Sequence, residues 1–240
     1  MKGFSRALLA LPLLCLALLT GCATPQPPVP MDQTFWSQKQ QRIGVAFTQL
    51  PKPTTVLAGQ QGLLDMAVNN GLATSLRHKV ETWDASGLGS VPRQVGDLLR
   101  SNGYQAVNLD EPLKLEALPK NAGTRTGFAE QDFQGLKAQK QIDKLVLFRF
   151  GDAGTMRTYY GMVPTSVPVA QVVVTTYVID LNDNRLLYYK PQVFSRAADG
   201  EWDEGPDFPN LTNAFYQALD STQQDLVGVF RDRQLSSAKP

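Results

Sequence analysis

The sequence predicts an α+β domain, within the broader α/β class, in which helices pack on a single mixed sheet that ends in an antiparallel C-terminal hairpin. Alternating β-branched and aromatic runs, which are typical of strands, exchange along the chain with stretches whose apolar residues recur at helical spacing. The predicted order is strand, helix, helix, strand, helix, strand, strand, strand, helix. Strands joined through helices and strands joined directly therefore occur together, which requires a mixed sheet.

The first strand is predicted at residues 42–50, which are rich in β-branched and aromatic side chains and precede two prolines. Residues 56–58 either extend this strand or begin a loop. A long helix is predicted from about residue 64 to residue 82, and Gly71 weakens its middle by about 1 kcal/mol relative to alanine. One apolar stripe at four-residue spacing supports this helix: Leu64, Val68, Leu72, Leu76 and Val80.

Four ordered elements are predicted in the middle of the chain: a helix from residue 91 that ends before Asn102-Gly103, a strand at 104–109, a helix at about 129–139, and a strand at 144–150. The second of these helices carries Phe133 and Leu136. An irregular segment at 111–127, rich in Pro, Asn, Gly and Thr, is predicted as a surface loop. The strand at 144–150 is a nearly continuous apolar run, which indicates burial on both faces and a central position in the sheet.

The strongest hairpin signal consists of two β-branched and aromatic runs, residues 169–180 and 185–194, joined by Leu181-Asn182-Asp183-Asn184. Asn and Asp suit this turn because they tolerate left-handed backbone. The final helix is predicted at about 210–233, and its apolar face is expected to cover the sheet. That face consists of Leu211, Phe215, Leu219, Leu226 and Phe230.

The hairpin turn also imitates the start of a calcium-binding loop, because Asp180, Asn182 and Asn184 alternate in the required way. Arg185 stands where such a loop needs glycine, and Pro191 stands where it needs the bidentate glutamate. A calcium loop of this kind is therefore rejected. The sequence predicts neither a metal site nor a cofactor.

Residues 151–168, between the two central strands, are the most promising interaction surface. Eighteen residues are long for a hairpin connection, and long loops are often functional. The segment carries adaptable apolar side chains of the kind enriched at interfaces, and the candidate partner loop consists of Met156, Tyr159, Tyr160 and Met162. The alternative is that the two strands continue into this segment and pack the tyrosines on the sheet.

A second candidate surface is the acidic stretch 199–207, which holds five carboxylates around Trp202. It either binds a cation or is a solvated loop that leads into a helix N-terminus, where negative charge is favourable. His78, the only histidine in the sequence, lies between Arg77 and Lys79 on a helix surface. Such a histidine is usually solvated, and we assign it no catalytic or ligand role.

The first two dozen residues determine the expected location. Lys2 and Arg6 precede an apolar run, residues 7–19, that is long enough for a signal peptide and too short to span a membrane. The run ends in Leu19-Thr20-Gly21-Cys22, which resembles the lipobox of bacterial lipoproteins. The resemblance implies that Leu19, Thr20 and Gly21 are recognised by the signal peptidase, that the chain is cut after Gly21, and that Cys22 carries the lipid.

Ala23 follows the lipidated cysteine, and by the lipoprotein sorting rule this residue directs the protein to the outer membrane, facing the periplasm. The expected organisation is a signal peptide at 1–21, a lipidated cysteine and proline-rich tether at 22–40, one periplasmic α/β domain at 41–234, and a disordered tail at 235–240. Residues 23–30, with four prolines, are expected to be either a semi-rigid stalk in polyproline II conformation or a disordered terminus that only adds distance. Removal of Lys2 and Arg6 with the signal peptide changes the formal charge from +1 to about −1, and no basic cluster predicts nucleic-acid binding.

The mature domain also resembles, in topology, the small α/β domain of envelope lipoproteins such as the curli-secretion pore subunit, and the N-terminal domain of the Tol propeller protein. The likeness is carried by residues 141–147, in which an aspartate enters a hydrophobic strand, and by residues 177–188, which form a strand, an Asp-led turn and a returning strand. Such domains mostly scaffold or bind other envelope proteins, so the resemblance implies no catalytic residue.

Motifs for common enzyme classes are absent from the sequence, which has no G-x-S-x-G, no H-E-x-x-H, no P-loop and no G-x-G-x-x-G. We therefore expect a non-enzymatic outer-membrane lipoprotein that is held in the membrane by its lipid and binds another envelope component. The first alternative is a lipoprotein that binds a small ligand or cation. The second is a hydrolase that uses a pair of carboxylates, because two acids that folding brings together need not have a recognisable spacing in the sequence.

Overall fold

The computed structural model describes residues 25–121 and 125–231. Over these residues the chain forms a seven-stranded mixed sheet with helices packed on it, so the predicted fold class is confirmed. The strands are β1 (Arg42–Phe47), β2 (Thr54–Gln60), β3 (Gln105–Asn108), β4 (Lys144–Tyr160), β5 (Val163–Pro164), β6 (Val169–Asp180) and β7 (Arg185–Ala197). The α-helices are α1 (Gln33–Ser37), α2 (Leu63–Leu72), α3 (Thr74–Val80), α4 (Val91–Ser101), α5 (Gly135–Lys140) and α6 (Pro209–Gly228). Within these ranges no helix has both the length and the apolar character needed to cross a membrane.

Strand β4 is the centre of the sheet, whose main order is β3-β1-β4-β6-β7. Along one side of β4 lie two parallel strands in succession, β1 beside residues 144–148 and β2 beside residues 154–160. Along its other side β6 runs antiparallel over almost the whole length. Residues 56–58 therefore belong to a separate strand, which pairs with the second half of β4.

The predicted C-terminal hairpin is confirmed, with β6 and β7 paired antiparallel from Asp180 and Arg185 to Val169 and Ala197. In its turn the Asp180 Oδ1 atom accepts a hydrogen bond from the Asn182 amide at 2.9 Å. Asn184 has a left-handed backbone with φ 66°, as the Asn-rich turn sequence predicts.

Residues 144–148 of β4 are buried on both faces, as the apolar run predicts. One face packs against α4 and α6, and all five residues of the predicted stripe on the final helix are buried there. The other face packs against α5 and the segment before it, through Phe133 and Leu136 among others. In the second half of the sheet only the first of these faces is covered, so Val193 of β7 is 60% exposed.

The helix predicted at 129–139 begins later, at Gly135, because Asn184 holds the preceding residues in a different conformation. Its side-chain amide donates to the carbonyl oxygens of Ala129 and Gln131, and its Oδ1 atom accepts from the Phe133 amide. These bonds take up backbone groups that a helix would use. Asn184 is only 2% exposed, and it ties this segment to the hairpin turn.

Residues 25–40, which belong to the expected proline-rich tether, contact the domain. Val29 pairs with Tyr189 of β7 through two backbone hydrogen bonds of 2.8 and 3.0 Å. Asp32 caps α1 by accepting from the Thr34 amide at 2.8 Å and pairs with Arg185 at 3.0 Å. The Thr34 hydrogen bonds and the Arg185 guanidinium lower the pKa of the Asp32 carboxyl. The N-terminal segment is therefore part of the folded body from about Pro25 onwards.

Lys144 fastens α1 to the first residue of β4. Its side chain is fully buried, and its Nζ atom donates to the Thr34 carbonyl oxygen at 3.1 Å and to Gln38 Oε1 at 2.9 Å. Burial lowers the pKa of this lysine, and the carboxylates of Asp180, Asp32 and Asp143 oppose that shift only in part. The two acceptors therefore hold a cation that the interior disfavours.

We expect Lys144→Met to flatten the pH dependence of stability at alkaline pH. Because the pKa of Lys144 is lower in the folded than in the unfolded chain, unfolding takes up a proton between the two values. The free energy of unfolding of the wild type should therefore rise as the pH is raised towards 10.5, and that of Lys144→Met should rise less. Urea titrations at several pH values measure the difference, with the exposed Lys140→Met as control. Parallel curves for wild type and Lys144→Met would contradict this account of the buried charge.

Candidate functional site

Exposed apolar side chains are concentrated at the end of the sheet where β4 finishes. Nine of the eleven large apolar side chains that are exposed among the described residues lie in α2, at the last residue of β4, or in the connection from β4 to β6. We call this set the distal apolar surface: Leu63, Leu64, Met66, Val68, Leu72, Tyr160, Met162, Val163 and Val167. Clusters of exposed apolar groups on a folded domain usually mark an interaction site.

The helical part of this surface results from a break in the helix predicted at 64–82. The chain forms α2 and α3 instead, which meet at Ala73. The last two residues of the predicted stripe, Leu76 and Val80, enter the core at 6% and 0% exposure. The first three remain outside, and Leu72 is 77% exposed. The prediction of one continuous helix was therefore wrong, and the break divides its apolar stripe between the core and the surface.

The break has a local cause. Gly71 favours helix less than any other residue except proline, and it lies just before the junction. The Thr74 hydroxyl donates to the carbonyl oxygens of Asn70 and Gly71, at 3.2 and 2.7 Å. Such side-chain bonds to the preceding turn bend helices or end them.

Asn69 fixes α2 to the end of β4 and so joins the two parts of the surface. Its side chain is fully buried, and its Nδ2 atom donates to Gln61 Oε1 at 2.8 Å and to the Gly161 carbonyl oxygen at 3.0 Å. Gly161 in turn donates its amide to the Gln60 carbonyl oxygen at 2.8 Å. A polar side chain thus sets the distance between the exposed leucines of α2 and the Tyr160–Met162 turn.

We expect Asn69→Ala to loosen the distal apolar surface without unfolding the domain. The change leaves two partly buried acceptors without their donor, which costs about 1 kcal/mol. Amide hydrogen exchange should accelerate in residues 63–72 and 160–164 more than in β6 or α6. The neighbouring Asn70→Ala is the matched control, because Asn70 is exposed and its side chain makes no bond to the end of β4. Its Nδ2 atom donates to the Met66 carbonyl oxygen, and its Oδ1 atom accepts from Arg77 of α3. Equal exchange in the two variants would contradict the role assigned to Asn69.

The candidate partner loop at 151–168 is largely strand. β4 continues to Tyr160, and β6 begins at Val169, so the alternative in which the strands extend into this segment is the correct one. Tyr159 packs on the sheet at 6% exposure, and Met156 is half-buried between Val56 of β2 and Val169 of β6. Tyr160 and Met162 remain exposed, at 68% and 43%. The proposed contact set therefore divides, and only two of its four residues are exposed.

Gly154 allows this extension of β4. Its φ of 129° is one that side chains rarely adopt, and a Cβ atom there would overlap the backbone carbonyl of Thr54 in β2. The pairing of β4 with β6 also shifts register between Phe150 and Ala153. A bulge and a required glycine interrupt the apolar pattern, although the backbone continues as a strand.

A pocket of about 130 Å³ lies beside the distal apolar surface. It separates Leu72 and Met162 of that surface from the aromatic residues Trp202 and Phe208, whose rings stack at 6.2 Å. The Arg157 guanidinium lies 5.1 Å from the Trp202 ring, and its Nε atom donates to the Ser166 carbonyl oxygen at 2.9 Å. The fold thus places the acidic stretch 199–207 next to the end of β4, a proximity that the sequence does not indicate.

The carboxylates of the acidic stretch point to different partners. Asp207 pairs with Lys79 at 3.3 Å, and Glu204 accepts a hydrogen bond from Asn210 Nδ2 at 2.9 Å. Over residues 25–121 and 125–231, no three acidic, histidine or cysteine side chains converge closely enough to hold a metal ion. His78 is exposed, and its Nδ1 atom lies 3.7 Å from the Glu81 carboxylate.

Comparisons with known proteins give only distant likenesses. No family model and no curated protein matches the chain. A Xanthomonas campestris protein of family DUF330 aligns over 90% of this chain and 93% of its own, with 12% identity and a TM-score of 0.38. The lipoprotein GNA1162 of Neisseria meningitidis aligns over 77% and 99%, with 10% identity and a TM-score of 0.29. The hypothetical protein CT253 of Chlamydia trachomatis aligns over 79% and 98%, with 10% identity and a TM-score of 0.32. At these values the likenesses assign no family and no function to the chain.

Sequence reasoning missed the helical half of the distal apolar surface. Helix α2 is apolar around most of its circumference, because Leu63 and Met66 lie outside the stripe at four-residue spacing. The presence of these two residues was the only signal in the sequence for an exposed apolar helix. The lipidation residue Cys22 and the peptidase recognition residues Leu19, Thr20 and Gly21 lie outside the described residues. Their roles remain predictions.

Proposed function

We propose that the protein is a non-enzymatic outer-membrane lipoprotein, attached through lipid on Cys22 and facing the periplasm, whose distal apolar surface binds another envelope protein. The observation that supports the binding role most is the concentration of nine exposed apolar side chains around the end of β4. Leucine, valine, methionine and tyrosine supply contact area and adaptable shape, and they supply little acid–base chemistry. The proposal therefore assigns no catalytic residue.

A protein suits this surface better than a bilayer does. Helices that lie on membranes combine an apolar face with lysine and arginine, which contact anionic headgroups. Helix α2 has neither residue, and it carries Asp65 in its first turn. The partner is therefore expected to present an apolar surface of its own, and the rigid attachment of α2 through Asn69 limits the ordering cost of binding.

Photo-crosslinking in living cells tests the binding role. A benzophenone amino acid is placed at position 64, 160 or 162, and at position 216 as a control, because Tyr216 is an exposed aromatic residue of α6 outside the surface. We expect the three surface positions to give a common protein adduct that position 216 does not give. An adduct of twice the chain mass would identify a second copy as the occupant and overturn the assignment to another protein. The same adduct from all four positions would also overturn it.

A further inference from the structure

A second concave surface lies beside the first half of β4, far from the distal apolar surface. It is a groove of about 580 Å³. Its cations are Lys120, Arg125 and Arg149, and Tyr177 and Tyr189 form part of its floor. The sequence reasoning identified no site there, because these residues come from three separate parts of the chain.

The described chain begins at the edge of this groove, since Pro25 and Gln26 both line it. Gln26 Oε1 accepts a hydrogen bond from the Gly127 amide at 2.7 Å. Four residues later, the backbone pairing of Val29 with Tyr189 fixes the chain to the edge of β7. The position of Pro25 relative to the groove is therefore determined by contacts with the folded body.

Chain length then connects the groove to the membrane. Pro25 is three residues after Cys22, and three residue steps of fully extended chain reach at most about 11 Å. A lipid on the Cys22 sulfur has its acyl chains in the bilayer, so Pro25 must lie within about that distance of the headgroup layer. The groove at whose edge Pro25 lies must then be close to the headgroups, and a long stalk between lipid and domain is not available.

The groove has the chemistry to bind phosphate. The Arg125 guanidinium stacks on the Phe128 ring at 3.4 Å, which leaves its N–H groups free to meet an anion at the ring edge. Arg149 is exposed and lines the groove together with Tyr189. The Tyr177 and Tyr189 rings meet edge to face at 5.1 Å, and they offer two hydroxyl donors beside this arginine. Among the described residues that line the groove, Glu130 is the one acid, and it pairs with Lys120 at 3.8 Å.

We infer that this groove binds the phosphate of an anionic phospholipid headgroup in the leaflet that holds the lipid anchor. The inference rests on the proposed attachment at Cys22, since that attachment brings the groove to the headgroups. It orients the domain with its basic groove towards the membrane. Tyr160 is eleven residues beyond Arg149 on β4, a distance of about 36 Å at the usual rise per residue, so the distal apolar surface lies away from the headgroups bound by the groove.

The experiment uses the purified, membrane-extracted protein in lipid vesicles. The mature chain has no cysteine other than Cys22, so Thr126→Cys introduces one unique site for a fluorophore at the mouth of the groove. Vesicles contain phosphatidylcholine alone or with about a third phosphatidylglycerol, and both carry a lipid with a quencher on its headgroup. We expect the fluorophore at position 126 to be quenched more strongly in vesicles with phosphatidylglycerol than in vesicles of phosphatidylcholine alone. A fluorophore at position 160 should be quenched little in both kinds of vesicle.

Arg149→Gln should reduce the ratio of docked to undocked protein about fivefold, which is the effect expected for one cation at an anionic surface. Arg93→Gln, a change of an exposed arginine on α4, is the matched control and should have no effect. Quenching that does not respond to phosphatidylglycerol or to Arg149→Gln would overturn the inference. If millimolar inorganic phosphate abolishes the difference between the two kinds of vesicle, and sodium chloride of the same ionic strength does not, the groove binds free phosphate and the headgroup assignment is overturned.

Intact-mass measurement on the same preparation separates this inference from the proposed function. A chain that begins at Cys22 and carries acyl groups supports the attachment, and the quenching result then decides the groove alone. A chain without lipid contradicts the attachment, and with it the reason for placing the groove at the membrane.

Discussion

Replacing both Leu64 and Met162 with glutamate should reduce co-purification of the partner protein, the one identified by crosslinking, about tenfold or more, with little loss of stability. The two side chains are 70% and 43% exposed, so glutamate at these positions remains solvated in the free protein. In a complex the same carboxylates would be buried against an apolar partner without a counter-charge, and such losses at the centre of an interface typically exceed 2 kcal/mol. Co-purification from membranes with a tagged chain, normalised to expression, measures the effect.

The matched control is Val193→Glu combined with Ser195→Glu, which adds two carboxylates to an exposed part of β7. Val193 is among the exposed apolar residues and lies outside the distal apolar surface. Thermal unfolding should be nearly unchanged in both double variants, because most substitutions at exposed positions change stability by less than about 0.5 kcal/mol. Equal loss of the partner in the two variants would show that added charge, rather than the distal apolar surface, decides recovery.

Cys22→Ser should abolish lipid incorporation entirely, whereas Cys15→Ser should leave it unchanged. The comparison is informative because these are the only two cysteines in the sequence and they lie seven residues apart in the same N-terminal region. In the predicted scheme the Cys22 sulfur carries the lipid, and Cys15 is discarded with the signal peptide. Labelled palmitate followed by electrophoresis measures incorporation, and Cys22→Ser should also accumulate a precursor that retains residues 1–21.

Two outcomes would contradict the scheme. Undiminished palmitate in Cys22→Ser would place the lipid elsewhere, and loss of palmitate in Cys15→Ser would show that the apolar run contributes more than a signal for export. Without lipid, a protein that contacts the membrane only through a short apolar helix would bind weakly, whereas a protein with several acyl chains stays attached. Washing membranes with high salt therefore gives a second, independent measure of attachment.

The hairpin and the final helix could be predicted because their signals are local. Residues 169–180 alternate, the turn 181–184 contains residues that accept left-handed backbone, and the final helix repeats its apolar residues over several turns. Each of these patterns lies in one continuous stretch of chain. The structure confirms the hairpin boundaries to within three residues and buries the predicted helix face.

The second half of β4 could not be predicted in this way, because its partners are distant in sequence. Gly151, Asp152 and Gly154 break the apolar pattern that ends at Phe150. The backbone continues as a strand because β2, some hundred residues earlier, and β6 supply hydrogen bonds on both sides. Local propensity gives no sign of such non-local pairing.

In the N-terminal segment the backbone conformation could be predicted from the sequence, but its contacts could not. Four prolines between residues 25 and 30 predict an extended chain, and Val29 is indeed extended, but it pairs with Tyr189 rather than standing free. Lys144 and Asp32 then secure the short helix that follows. Composition predicts the backbone conformation of such a segment, whereas the contacts that decide whether it is a stalk or part of the body come from residues far along the chain.

Paired crosslinking from positions 162 and 126 of the full-length protein in intact cells tests the two-ended arrangement most directly. A benzophenone at 162, on the distal apolar surface, should give a discrete protein adduct, whereas one at 126, at the basic groove, should give adducts with labelled phospholipid. The reverse pattern, or the same protein adduct from both positions, would contradict the proposal that one end of the sheet faces the bilayer and the other faces a partner.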